Sequence, residues 1–225
     1  MAGGVTDDVG WVVLGAGGHA RSVVDALERA GQSVVAVSGG APDGQPWHVE
    51  VLTDDRAAVE LATARGLRLV VAIGAGPART RLVRELLARG LSVPPVVATT
   101  ATVSERSILG AGCVVLEHAH VGPASRLGEA VLVNTAAVVE HDCRVGVGAH
   151  IAPGAVVLGG ASVGDGALVG SGARVLPLVT VGAGVTVGAG AVVTAHVPDG
   201  ETVVGVPASV RPRATPAPHL SGDPA

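Results

Sequence analysis

From Val103 onward every sixth residue is aliphatic. Leu109, Val115, Val121, Leu127, Val133, Val139, Val145, Ile151, Val157, Val163, Val169, Val175, Val181, Val187 and Val193 follow in unbroken register. A period of six fits neither the 3.6 residues of a helical turn nor the two of a strand. It fits a solenoid in which each hexad makes one flat side and one corner, and three sides close a coil so that like positions stack. The aliphatic residue points inward. The next position is often glycine, as at 110, 122, 128, 146, 164, 170, 182 and 188, and is expected to make the sharp turn with positive φ. The fourth position after the stop is small (Ala119, Ser125, Ala137, Cys143, Ala149, Ala155, Ala161, Ala167, Ala173, Ala191), leaving room where the walls meet. Such hexads make about five coils, roughly 25 Å of prism at ~4.8 Å per strand. Burying each aliphatic residue at ~1.5–3 kcal/mol builds a core without aromatics. The chain needs that, because Phe and Tyr are absent and only Trp11 and Trp47 are aromatic.

The formal charge of −4 carries no basic excess. With no stacking aromatics either, nucleic acid is excluded as a partner. Cys113 and Cys143 read as small buried side chains in a reducing cytoplasm, with a disulfide as the weaker alternative. The N-terminus has neither a basic n-region nor an apolar h-region, so no signal peptide is expected. Val175 to Ala195 is uncharged and reaches membrane-spanning length, ~20 residues. Pro177 and the glycines at 182, 184, 188 and 190 fit the six-residue stride instead, and no membrane partner is expected.

Residues 11–98 have a different organisation. An apolar run enters Gly15-Ala16-Gly17-Gly18-His19-Ala20, and a helical pattern follows from Ala20 to Ala30. That is G-x-G-x-x-A between a strand and a helix, the context the motif needs. A strand over 33–38, a helix over 54–65, a strand over 67–73 and a helix over 77–89 complete an alternation that predicts a small parallel sheet. Glycines at a helix N-terminus admit an anion. Nicotinamide-dinucleotide binding would want an acid at the end of the second strand, but that strand ends in Ser38-Gly39-Gly40. The expected organisation is a flexible segment 1–10, a Rossmann-like domain 11–98, a β-helix 99–208 and a Pro/Ala-rich disordered tail 209–225.

The densest polar constellation is Asn134-Thr135, Glu140-His141-Asp142-Cys143 and His150. Acyl transfer from a thioester needs an uncharged nucleophile, and histidine, with a pKa near ~6.5, is the natural general base. An adjacent carboxylate can hold the imidazole's tautomer. Successive strand residues point to opposite faces, so an Asp142–His141 contact requires a corner. His118 and His120 raise a zinc rival, but no H-x4-H pair occurs and no histidine precedes His141 or His150 by one or two coils. No metal site is expected. Both residues are assigned to an exposed face.

These features resemble the sugar O-/N-acyltransferase family of hexapeptide-repeat transferases, which includes sialic acid O-acetyltransferase and the UDP-bacillosamine and GDP-perosamine N-acetyltransferases. The resemblance rests on the opening G-A-x-G-H, the hexad array and the closing Gly205-Val206-Pro207-Ala208, and spans about residues 10–210. It implies a left-handed parallel β-helix and transfer of an acetyl group from acetyl-CoA to an amine or hydroxyl of a sugar. His141 would be the catalytic base and Asp142 its partner. His150, Ser171 and Ala189 would line acetyl-CoA. Gly17, Gly18, His19, Gly74 and Asn134 would meet a nucleotide-sugar acceptor. Arg211 and Arg213 would meet CoA phosphates or belong to a solvated tail. The resemblance also implies a homotrimer with sites shared between subunits. Two alternatives stand beside it: a transferase for a non-nucleotide acceptor such as an antibiotic aminosugar, or from an acyl carrier protein, and a non-catalytic binding or scaffold protein.

Overall fold

The computed structural model describes residues 9–40 and 46–211. Most of the expected N-terminal segment and most of the C-terminal tail, with Arg213, lie outside the described residues.

The first domain is a four-stranded parallel sheet in the order β3-β2-β1-β4. Its elements are β1 (Trp11–Leu14), α1 (Gly18–Arg29), β2 (Val34–Ser38), β3 (Glu50–Leu52), α2 (Asp55–Arg65), β4 (Arg68–Val71) and α3 (Gly76–Ala88). β1 is apolar on both faces because the sheet is covered on both sides, and its four residues are buried. The Asp54 side chain accepts a hydrogen bond from Ala57 N and starts α2. Gly66, at φ 64°, ends it. The edge strand β3 was not expected; at three residues, Glu-Val-Leu, it carries almost no period to read.

Residues 96–210 form three parallel sheets. Face one holds Val96–Val97, Val114–Val115, Leu132–Val133, His150–Ile151, Leu168–Val169 and Thr186–Val187. Face two holds Thr102–Val103, His120–Val121, Val138–Val139, Val156–Val157, Arg174–Val175 and Val192–Val193. Face three runs from Ile108–Leu109 through Arg126–Leu127, Arg144–Val145 and Ser162–Val163 to Thr180–Val181. Each strand pairs with the residue one coil on, as Leu132 with His150 and His150 with Leu168. The second residue of each two-residue strand is the aliphatic stop; from Val115 to Val193 all are buried in one core with Ala137, Cys143, Ala155 and their like. Both cysteines are buried and free. The segment 175–195 is ordinary coil wall, and no helix among the described residues is long and apolar enough to cross a membrane. Face one continues with Thr202–Val204 beside Thr186–Val187, and after Ala208 the chain adds one more short strand, Ser209–Val210, antiparallel to it.

The glycines after the stops do not make the turns. Positive φ falls two positions later, at every sixth residue from Gly112 to Gly190. The glycines after the stops are required by close stacking instead: a methyl group at Gly110 would lie 2.5 Å from the carbonyl carbon of Gly128 in the next coil. Expecting positive φ at that position was therefore incorrect. Two different needs, turning and stacking, fill two columns with glycine.

The first domain docks on face one. Trp11, Val13, Val24 and Ala98 pack with the outward-facing Val114, Leu116 and Leu132. Val83 and Leu86 of α3 pack with Ala130 at the corner between faces three and one.

Candidate active site

His141 and Asp142 occupy the corner between faces two and three. Asp142 takes the left-handed conformation, φ 58°. That turn solves the problem of adjacent residues facing opposite ways: His141 Nδ1 lies 2.8 Å from Asp142 Oδ2. An ionised carboxylate only accepts, so Nδ1 carries the proton and Nε2 keeps its lone pair. The two side chains are 60% and 64% exposed, so the imidazole faces solvent rather than the core. Gly159, one coil on, lies against the imidazole; a methyl group there would sit 2.6 Å from Nε2.

A second polar cluster lies where the first domain meets face one. His150 is the outward residue of its strand, and its Nε2 lies 3.1 Å from Asn134 Nδ2. Asn134 Oδ1 accepts from Thr135 N at 2.8 Å, which fixes the amide's orientation. His150 Nε2 must then be the acceptor, and the ring is neutral. His19, in the first turn of α1, contributes to the field at His150 and has its own Nε2 buried without a hydrogen-bond partner among the described residues. Gly17 caps α1, Gly18 opens it, and Gly74 follows β4, close to the same junction. Ser171 and Ala189 are exposed at the corner between faces one and two, stacked below Thr135 and Pro153 through Gly154 N–Thr135 O, Gly172 N–Pro153 O and Gly190 N–Ser171 O bonds.

Arg79 organises this junction, and the sequence did not single it out. It is fully buried in α3. Its Nε donates to Ala130 O at 2.8 Å. Nη1 donates to Ile73 O and Gly74 O, each at 2.8 Å. Nη2 donates to Gly148 O at 3.0 Å and Ala149 O at 3.4 Å. One guanidinium thus ties the loop after β4 to two coils of the β-helix. Burial lowers its pKa to about 10, so it stays charged. Burial, reinforced by that cation, lowers His19 to about 4. Burial, then Arg79 and then His19, lower His150 to about 4.

A pH dependence follows. Between the ordinary histidine value of 6.5 and about 4 the unfolded chain binds protons that the folded junction refuses. Stability is therefore complete above pH 6.5 and falls as pH drops through this window. Urea midpoints measured from pH 7.5 to 4 are expected to decline, and the double variant His19→Gln/His150→Gln to flatten that decline.

The sequence found no acid at the end of β2. One reaches it from α2: Ser38, itself buried, donates from Oγ to Asp55 Oδ1 at 2.5 Å. His118 lies exposed at a corner, and His120 Nδ1 pairs with Thr102 Oγ1 at 2.7 Å. Among the described residues no three His, Cys, Asp or Glu side chains converge as metal ligands would.

In a triangular prism the corner between faces two and three is opposite face one. His141 is therefore across the prism from the His19–Asn134–His150 cluster of its own chain. Two grooves of one chain, each about 580 Å³, run along α3 and along face three, and the residues lining them include neither His141 nor His150.

Residues 11–86 match the PglD N-terminal domain family. The chain is 39% identical to PerB from Caulobacter crescentus, solved with CoA and GDP-perosamine, over 90% of this chain and 97% of that one, with a TM-score of 0.84. The chain belongs to the hexapeptide-repeat sugar acyltransferases. The acetyltransferase domain of PglB from Neisseria gonorrhoeae, solved with acetyl coenzyme A, is 34% identical over 91% of this chain and 100% of that one, with a TM-score of 0.86. WeeI from Acinetobacter baumannii is 25% identical over 90% and 100%, with a TM-score of 0.81. Variants of a C. crescentus perosamine N-acetyltransferase with a histidine replaced by Asn or Ala have also been solved. No curated protein sequence matches the chain. The architecture of this sugar acyltransferase is the Rossmann-like domain and left-handed parallel β-helix of its family.

Proposed function

We propose that this sugar acyltransferase moves an acetyl group from acetyl-CoA to the amine of a nucleotide-linked aminosugar, with His141 as general base. The observation that carries it is the exposed imidazole, its Nδ1 tied to Asp142 and its Nε2 free. The amine attacks the thioester carbonyl as Nε2 takes its proton. The tetrahedral oxyanion collapses, the C–S bond breaks, and the imidazolium returns the proton to the leaving thiolate. Asp142 holds the tautomer and stabilises the transient cation. No covalent enzyme intermediate is needed. The acceptor lies against Gly17, Gly18, His19, Gly74 and Asn134, and the donor along His150, Ser171 and Ala189. PerB was solved with CoA and GDP-perosamine and the PglB domain with acetyl coenzyme A, which supports both substrate classes.

The site is shared between chains of a cytoplasmic homotrimer. Face one is covered by the first domain, and face three presents Arg126, Arg144, Ser162 and Thr180. Face two presents the half-buried Val138, Val156 and Val192 beside Thr102, His120 and Arg174, and is more apolar on its outside than face three. A three-fold axis beside face two brings the one–two corner of each chain against the two–three corner of the next. Asn134, His150, Ser171 and Ala189 of one chain then face a copy of His141 supplied by its neighbour. This reading is tested by following thiol release from acetyl-CoA with UDP-, GDP-, dTDP- and CMP-linked aminosugars. One nucleotide is expected to support turnover well above the others. Hydrolysis alone with every acceptor would overturn the reading.

A further inference from the structure

Leu178 shares the two–three corner with His141. The ladder Gly160 N–His141 O and Leu178 N–Gly159 O sets it two coils further along. It occupies the left-handed position, φ 63°, and is 75% exposed. The same turn position in the neighbouring hexads, at 148, 154, 160, 166, 172, 184 and 190, is glycine throughout. A leucine there costs roughly 1 kcal/mol of backbone strain, and exposing its isobutyl group gains nothing in a single chain. The side chain folds back over Gly160, where an added methyl group would lie 2.7 Å from Leu178 Cδ2. It forms a ledge on the corner, facing along the column toward His141.

In the trimer proposed above, Ser171 lies two coils below Thr135 on the facing corner of the next chain. Leu178 and the neighbour's copy of Ser171 are then at one height, on opposite walls of the donor cleft. Two coils put Leu178 roughly 10 Å from the base. That is too far to touch an acetyl group held at His141. Fully extended, the pantetheine arm spans about 12 Å over the ten bonds from the thioester sulfur to the gem-dimethyl carbon, and one gauche turn brings that carbon to the height of Leu178. We infer that Leu178 is the apolar wall that receives the gem-dimethyl portion of the pantetheine arm, contributed by the chain that supplies His141. The inference rests on the shared-site reading and assigns the donor a specificity contact on its second wall.

The test is Leu178→Gly in the full chain, assayed with acetyl-CoA and with acetyl-N-acetylcysteamine, which ends before the gem-dimethyl carbon. Glycine relieves the turn, so the melting temperature is expected to hold or rise. The KM for acetyl-CoA is expected to increase about five- to tenfold, the effect of losing one or two buried methyl contacts, while the KM for the truncated donor does not follow. An unchanged KM for acetyl-CoA, an equal rise for both donors, or loss of the trimer would each overturn the inference. Mixing His141→Ala and His150→Ala chains alongside separates the two claims. If the mixture regains activity and Leu178→Gly leaves KM unmoved, the shared-site reading stands and only the Leu178 assignment fails; if the mixture regains nothing, the shared-site reading itself fails.

Discussion

Replacing His141 with Ala lowers kcat by about 10²–10⁴-fold, the usual contribution of a positioned general base. The fold survives, because the side chain is exposed and contributes nothing to the core. Steady-state assays should show the fall in kcat with little change in KM for acetyl-CoA, whose contacts are assigned elsewhere. Raising the pH should recover part of the rate with an amine acceptor, since an amine deprotonates without help in alkali and a hydroxyl does not. The same variant tests the shared site. His141→Ala and His150→Ala chains, each inactive alone, should regain activity when mixed and reassembled. Random trimers place an intact His150 against a neighbour's intact His141 at roughly one site in four. A site built within one chain regains nothing.

Replacing Arg79 with Met removes five donations from a fully buried side chain at one stroke. Carbonyls from Ile73, Gly74, Ala130, Gly148 and Ala149 would remain, buried between the domains without that donor. The expected loss is on the order of 3–5 kcal/mol. For a chain of this size that lowers the melting temperature by roughly 10 °C. Because the lost bonds join the two domains, calorimetry should resolve a separate low-temperature transition for the first domain, leaving the β-helix near its original midpoint. Arg79→Lys should fall between, since an ammonium has three donors and no planar fork. A variant as stable as the parent would show that the junction is held by Trp11, Val24, Leu116 and their neighbours alone.

The legible parts of this chain were those whose cause is local. The hexad stride exposes the inward stops, because burial repeats at a fixed interval along the chain. Asp54 and Pro77 mark the starts of α2 and α3 through their own capping chemistry. His141-Asp142 was found because the two partners are adjacent. The residues that went unread have partners far away in sequence. Arg79 sits in a helix with Arg81, Arg84 and Glu85, where charge normally faces water; its acceptors at Ala130 and Ala149 are 51 and 70 residues distant. Asp55 opens α2 as a helix-start acid does, and nothing local signals that Ser38 reaches it. The glycine columns misled for a related reason. Turning and stacking both select glycine, and the turning column is diluted by His118, Ala124, Ala130, Ala136, Asp142 and Leu178. Only the coordinates separate the two.

Both indoles of the chain lie in the first domain, Trp11 buried in β1 and Trp47 packed near α1 beneath the Arg21 guanidinium. The prism, built from Val, Leu, Ile and Ala, emits no light of its own. Intrinsic fluorescence therefore watches the first domain alone, and a nucleotide-sugar seated there as proposed can be titrated by emission while events along the prism stay dark.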